Sequence, residues 1–527
     1  MSTPVAEPEP LRLPVRSGPA RFFVLFAVFL CASCGMVYEL ALVALGSFLL
    51  GDTIVQASIV LSVMVFAMGV GSILTKRLTH LAAVSFALIE AALGIIGGLS
   101  VLALYLAFAY LDLYTAAMVV LAFVIGVLIG AEIPLLMELI QRIRAQRAST
   151  AVADLFAADY VGGLVGGLAF PFLLLPVLGL PRGVLAVGIV NAVTGILIVL
   201  WLFREEITRR VRVGLAILLV LIVGVLTLTW VYTDAIEMTS RQQIYRDPIV
   251  TAERSAYQDI VVTRHPRTGD TRLFLNGDLQ FASNDEHRYH ESLVHPVLDG
   301  PRSRVLVLGG GDGMALREIL RYPDVDEVTL VDLDPAVVEL ARSDDTFTRF
   351  NDGAFDDRRV EHIAADAFTW LREENTRTYD VVIADLPDPD DVSTSKLYTI
   401  EFYGLVDRAL AADGRLVVQA GSPFFAPEAY WGIGESIAQA GFATTPYHVD
   451  VPSFGDWGYF LAATGEAPEV AVPADAPDDL RFLTPDVARA ALVFPPDRDR
   501  SSVGTVEPSS LLHPRVIDQQ RGAWVGY

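Results

Sequence analysis

The sequence predicts three bodies in series: a multi-pass α-helical membrane domain, a small antiparallel β domain, and an α/β domain built on a mostly parallel sheet. Three observations predict them. Residues 1–232 hold seven apolar stretches, each long enough to cross about 30 Å of hydrocarbon. Charge divides at the same place. Residues 1–232 carry 13 Lys/Arg against 12 Asp/Glu and the remainder carries 26 against 50, so the net charge of −23 belongs to the second half. From Val305 onward, apolar runs of strand length alternate with helical patterns, the rhythm of a sheet covered by helices on both faces.

Residues 1–20, rich in Pro and charge, read as a disordered N-terminal tail, and 21–232 as the membrane domain. Its stretches run at approximately 21–48, 54–75, 81–108, 114–140, 156–178, 183–203 and 213–232. The first is too long for a cleaved signal peptide, and six more follow it. Basic residues cluster in the tail (Arg12, Arg16) and after the second (Lys76, Arg77), fourth (Arg142, Arg144, Arg147) and sixth stretches (Arg204, Arg209, Arg210, Arg212), whereas the intervening loops hold only Arg182. The positive-inside rule then places the N-terminus in the cytoplasm of a cell-membrane protein. Seven crossings put the acidic half outside, and a count differing by one reverses that. Both cysteines, Cys31 and Cys34, lie in the first stretch; with no further cysteine to complete a site, they read as small buried residues, and no metal is expected. Glu39, Glu90, Glu132 and Glu138 fall inside apolar stretches, where carboxylates either pair across helices, lie near interfaces, or mark a transport path. The spacing of Gly162, Gly163, Gly166 and Gly167 predicts close helix packing.

In the acidic half, residues 245–284 form the small β domain. Apolar and polar residues alternate, and Arg267-Thr268-Gly269-Asp270 and Asn276-Gly277-Asp278 suit hairpin turns. A helical segment at 285–298 leads into the α/β domain at 285–465. Residues 466–527 form a Pro- and Asp-rich C-terminal extension with one helical pattern near 484–492. The strong negative charge excludes nucleic acid as a partner.

Residues 305–335 carry the most chemistry. A strand enters Gly309, Gly310 and Gly311, a helix follows, and a second strand ends at Asp332, about 20 positions past the glycines. That is a Rossmann-like unit for an adenosine-bearing ligand, with Asp332 placed for ribose hydroxyls. Asp312 sits inside the loop, and Met314 occupies the place of a third glycine. A carboxylate there repels the pyrophosphate of a dinucleotide and attracts a cationic nucleoside such as a sulfonium, although it also suits a plain helix cap. The expected domain is therefore of the class I methyltransferase type. Asp312, Asp332, Asp366 and Asp385 all fall at or just past strand C-termini, the edge where open α/β sheets bind ligands.

Ordered motifs across roughly 250–465 resemble the polyamine synthases, specifically integral-membrane spermidine synthases. They are Tyr257-Gln258-Asp259-Ile260, LNGDLQ at 275–280, DEHRYHE at 285–291, GGGDG at 309–313, VDLDP at 331–335, DAF at 366–368, DLPDP at 385–389 and LYTIEFY at 397–403. The resemblance implies aminopropyl transfer from decarboxylated S-adenosylmethionine, a co-substrate, to putrescine, with no permanently bound cofactor. It further implies that Gln258 and Asp312 hold the aminopropyl end of the donor within the loop of Gly309 and Gly311. Asp332 would meet the ribose, and Asp366 with Ala367 the adenine. Asp385 would be the base, Asp388 and Tyr289 would bind and orient the diamine, and Gln280 and His290 would line the cleft. The implied partners are the polyamine, the lipid bilayer and a second copy of the chain, in a dimer or tetramer joined through the catalytic domain. Leu386 and Pro387 replace two small hydroxyl residues of the family, Asn276 interrupts an LDG motif, and Phe454 stands where a tyrosine is frequent. Two other readings compete: a methyltransferase on the same sheet, and a polyamine transporter or sensor with a fused ligand-binding domain.

Overall fold

A computed structural model describes residues 14–50, 53–111, 113–143, 148–373 and 378–520. The chain divides into two compact units, Met1–Arg246 and Asp247–Tyr527.

The first unit is helical: α1 (Ser17–Leu50), α2 (Thr53–Leu74), α3 (Ala82–Leu111), α4 (Tyr114–Ile143), α5 (Ala148–Ala169), α6 (Leu175–Leu202) and α7 (Arg209–Ile244). Among the described residues, six segments are long and apolar enough to cross a membrane. One of them, Val152–Leu202, has 51 residues. As a straight helix it would be about 77 Å long, more than twice a hydrocarbon core. It is not straight. A π-helical turn at Phe170–Leu174 joins α5 to α6, and Gly179 leaves the helical region entirely at φ 72° and ψ 171°. The stretches expected at 156–178 and 183–203 thus lie on either side of Gly179.

Small residues set the helix spacing. A Cβ at Gly162 or Gly166 would run into the backbone carbonyls of Phe29 and Ser33 on α1, and the Ser33 hydroxyl donates to the Gly162 carbonyl at 2.8 Å. The tail expected at 1–20 is shortened, because α1 already starts at Ser17. Residues 1–13, with Arg12, lie outside the described residues, as do Arg144 and Arg147. At the other end α7 outlasts its apolar stretch, continuing from 232 to Ile244. The polar extension keeps its helix through the Arg241–Glu237 pair at 2.7 Å, one turn apart.

The second unit opens with an antiparallel sheet of β1 (Ile249–Arg254), β2 (Asp259–Arg264), β3 (Thr271–Leu275) and β4 (Asp278–Ala282), paired in that order. Asn276 and Gly277 turn β3 into β4 with φ of 53° and 99°, as a two-residue hairpin demands. Helix α8 (Glu286–Val294) then leads to a seven-stranded sheet. Its strands are β5 (Arg304–Gly309), β6 (Glu327–Asp332), β7 (Val360–Ala364), β8 (Tyr379–Asp385), β9 (Leu410–Gln419), β10 (Ala443–Val451) and β11 (Gly455–Ala463). They are ordered β10-β11-β9-β8-β5-β6-β7, with β5 to β9 parallel and β11 antiparallel to both its neighbours. Strand β5 shows why the apolar runs are continuous: Val305 and Val307 enter one core, Leu306 and Leu308 the other. Strand β10 carries Thr, Pro and His among its apolar residues, which hides it from pattern reading.

The C-terminal extension is part of this unit. Buried Glu291 on α8 accepts backbone N–H bonds from Arg481, Phe482 and Leu483 at 2.8, 2.9 and 2.8 Å. Arg302 bridges Asp324 and Asp475, Trp431 donates to the Arg498 carbonyl at 3.1 Å, and Val516 is buried against the sheet's helices. Replacing Glu291 with Ala strands three N–H groups, a loss of about 3 kcal/mol. The Glu291→Ala variant should therefore melt earlier, and its extension should be cut first in limited proteolysis. An unchanged melting temperature and cleavage pattern would contradict the anchor.

Candidate active site

Adjacent parallel strands β8, β5, β6 and β7 end along one edge, and the glycine loop turns there. Gly309 and Gly310 have positive φ (81° and 68°), and a Cβ on Gly309 would collide with the Asp385 carbonyl. Gly310 N–H donates to that carbonyl at 3.1 Å. Gly311 N–H donates to Asp332 Oδ2 at 3.1 Å, and a Cβ on Gly311 would come within 2.7 Å of the same oxygen. The loop is therefore wedged between the ends of β6 and β8.

Asp385 closes β8 with its carboxylate half-buried, and the Tyr289 hydroxyl on α8 donates to its Oδ1 at 2.5 Å. Burial pushes the Asp385 carboxyl up to about 6; the nearby Asp312 adds to the rise, while His290 and the Tyr289 hydrogen bond oppose it. Burial and the Asp385 charge in turn keep the Tyr289 phenol protonated, and so a donor. Beside them, His290 Nε2 lies 4.0 Å from Asp312 Oδ2, while its Nδ1 contacts Glu286 Oε2 at 3.1 Å. Burial alone would lower His290, but Glu286, Asp312 and Asp385 together raise it. Glu286 resists burial through His290 and Arg317, which hold it down to about 2.

Asp312 does both things its position allows. Oδ1 accepts the Met314 N–H at 3.0 Å at the start of the next helix, and Oδ2 faces His290. Asp332 also accepts the Asp334 N–H at 2.9 Å, yet burial lifts it to about 6 against those bonds. Ser255 ties the small sheet to this edge: its hydroxyl donates to Asp334 Oδ2 at 2.6 Å and accepts the Gln258 N–H at 2.9 Å. Gln258 thus stands on the Asp332 side. Asp366, just past β7, is paired with Lys396 at 2.7 Å and accepts from the Thr369 amide and hydroxyl; burial would raise it, but Lys396 and Thr369 hold it low. Ala367 follows, buried at the start of its helix.

The loop after Asp385 carries Asp388, raised to about 7 by burial, Asp390 and Asp278 together, against a hydrogen bond from Gln419. Tyr398 donates to the Pro387 carbonyl at 2.8 Å, and Gln419 Nε2 donates to the Leu386 carbonyl and contacts the Tyr398 oxygen at 2.9 Å. Aromatic rings line the Asp385 side. Tyr289 lies 5.9 Å from Phe454, 6.5 Å from Trp457 and 5.7 Å from Tyr459, centroid to centroid. Of the residues expected from sequence, hydrogen bonds join Tyr289 to Asp385 and Gly311 to Asp332; among the described residues the side chains of Gln258, Gln280, Asp366 and Asp388 bond to none of the others, and Gln280 sits half-buried on β4.

Sequence reasoning missed Asp278 and Asp390, which add charge beside Asp388, and Lys396, which neutralises Asp366. Asp278 was hidden by its turn position, and Lys396 directly precedes the LYTIEFY run. Glu286 had a readable signal, its spacing of one helical turn from His290.

Comparison with known proteins identifies the family. Residues 286–473 match the spermine/spermidine synthase domain. The chain is 56% identical over 512 residues to polyamine aminopropyltransferase 1 of Streptomyces coelicolor, covering 96% of both. It is 49% identical over 515 residues to the polyamine aminopropyltransferase of Mycobacterium tuberculosis, covering 96% of this chain and 97% of that one. To polyamine aminopropyltransferase 1 of Ralstonia nicotianae it is 41% identical over 519 residues, covering 97% of each. By this likeness along nearly its full length, the chain belongs to the polyamine aminopropyltransferase family.

Proposed function

We propose that this chain transfers the aminopropyl group of decarboxylated S-adenosylmethionine to putrescine, giving spermidine and methylthioadenosine, with Asp385 as the base. The carrying observation is the half-buried Asp385 carboxylate, oriented by Tyr289 at 2.5 Å and backed by a side-chain-free loop. In this reading the donor's adenosine lies over Gly309–Gly311, its ribose on Asp332 and its adenine by Asp366 and Ala367. Its ammonium end is held by Asp312 and Gln258. Putrescine, a dication, lies between Asp385 and the Asp388 loop, with Tyr289, His290 and Gln280 along its path. Its methylene chain meets the rings of Tyr289, Phe454 and Trp457.

The reaction needs a neutral amine. An alkylammonium titrates near 10 and an ordinary Asp near 3.9, a gap of roughly six units, about 8 kcal/mol. With Asp385 at about 6 the gap is smaller by roughly two units. Asp385 takes the proton, and the nitrogen lone pair attacks the carbon beside the sulfonium. The carbon–sulfur bond breaks with its electron pair left on sulfur, so methylthioadenosine leaves neutral and the new secondary amine carries the positive charge. No charge is separated in the displacement, so positioning supplies most of the acceleration.

We also propose that the first unit is a multi-pass cell-membrane domain. Its outward faces carry large apolar side chains such as Phe66, Phe172, Val220 and Val231, a surface water does not tolerate in bulk. With the N-terminus inside, a single crossing by Val152–Leu202 returns the catalytic unit to the cytoplasm but leaves the Arg204–Arg212 loop outside, whereas two crossings divided at Gly179 keep that loop inside and place the catalytic unit outside; donor and diamine, both charged, favour the cytoplasmic side.

Asp385→Asn should lower methylthioadenosine release with putrescine by at least about 100-fold while donor binding persists; turnover within a few-fold of the parent would remove Asp385 as base. Because Asp385 must be ionised to accept a proton, kcat/KM should fall as pH drops below about 6. Tyr289→Phe deletes the hydrogen bond that stabilises the carboxylate, so its acid limb should move to higher pH. A limb that stays in place or moves down would break the proposed coupling.

A further inference from the structure

Cys31 on α1, Glu90 on α3 and Glu132 on α4 converge inside the helical unit, with a ligating atom of each within 4.8 Å of the others. All three are at most 5% exposed. The residues around them are polar: both carboxylate oxygens of Glu90, Oε1 of Glu132, the Tyr38 hydroxyl and Asn191 Oδ1 are buried without a hydrogen-bond partner among the described residues. Asn191, on α6, is fixed at the site by its Nδ2, which donates to the Glu90 carbonyl at 3.3 Å. The phenol of Tyr38 is within electrostatic reach of Cys31, Cys34, Glu90 and Glu132. Apart from its neighbours here, the further charged group facing Glu132 is Asp159, another acid. Two buried carboxylates facing each other without a cation must keep their protons rather than their charge, and a bound cation would take the place of those protons.

We propose that Cys31, Glu90 and Glu132 hold a divalent metal ion of the zinc class, with Asn191 Oδ1 and the Tyr38 hydroxyl as neutral oxygens beside it. Two carboxylates balance a charge of +2, so the site is neutral with a protonated thiol and singly negative with a thiolate. The thiol selects the ion. A sulfur is a poor acceptor for an alkylammonium but a strong ligand for zinc-class metals, and the mixed sulfur and oxygen set disfavours magnesium or calcium. Mutual distances below 4.8 Å suit one ion and leave no length for a carbon chain. The ion would join α1, α3 and α4.

The chain has only two cysteines, which gives a specific readout. The full-length protein in detergent, stripped with chelator and titrated with Co2+, should develop a thiolate-to-cobalt charge-transfer absorption that saturates at one equivalent and is displaced by Zn2+. Cys34→Ser should keep the band and Cys31→Ser should lose it. Glu90→Gln and Glu132→Gln should each weaken cobalt binding at least tenfold. No band in the wild-type protein would overturn the proposal, and that result needs no variant to fold. A band that survives unchanged in Cys31→Ser would overturn it as well.

Discussion

The catalytic unit depends on one crowded contact, the glycine loop held between the ends of β6 and β8. Gly311 donates to Asp332 Oδ2 at 3.1 Å and leaves no space there for a side chain, while Gly309 rests against the backbone of Asp385. Any Cβ at these places would push one carboxylate away from the other. Adjacent strand ends can present Asp332 and Asp385 on either side of a ligand only because the loop between them is bare backbone. The parallel register fixes the rest, with Gly309 opposite Asp385 and Asp332 opposite Ala364.

Gathering acids at one edge has an electrostatic cost that the site redistributes. His290 faces Asp312 and Lys396 holds Asp366, but Asp385 and Asp388 have no cationic side chain bonded to them among the described residues. Burial, which no such partner offsets, pushes them up to about 6 and about 7. Such groups are poised to be neutralised by a bound cation rather than by the protein. In the proposed reaction a dicationic diamine and a cationic donor would supply that charge, so their binding would relieve the repulsion among these carboxylates.

Much of this was legible before any coordinates, and the exceptions have physical causes. The carboxylates Asp312, Asp332, Asp366 and Asp385 follow apolar strands, so strand periodicity places them at one edge. Asp278 and Lys396 could not be placed that way, because their roles come from packing between segments far apart in sequence. In the C-terminal extension the helical pattern at 484–492 is legible and matches a helix at Pro485–Ala490, but the segment is anchored by Glu291, almost two hundred residues upstream. Gly179 illustrates the converse. One residue with positive φ divides a 51-residue apolar segment, at the place where the apolar pattern itself breaks between 178 and 183. Cys31, Glu90 and Glu132 likewise come from three helices, and no ligand spacing in the chain announces them.

The central claim is that fixed carboxylates select a donor with a cationic, decarboxylated end. Calorimetric titration of the full-length protein with decarboxylated and with intact S-adenosylmethionine, in the absence of diamine, tests it directly. In the proposed binding mode Asp312 attracts the ammonium of both but repels the carboxylate of the second. The decarboxylated donor should therefore bind at least about tenfold more tightly, ~1.4 kcal/mol, and the difference should shrink in Asp312→Asn. Equal affinities, or a preference for the intact molecule, would contradict the account.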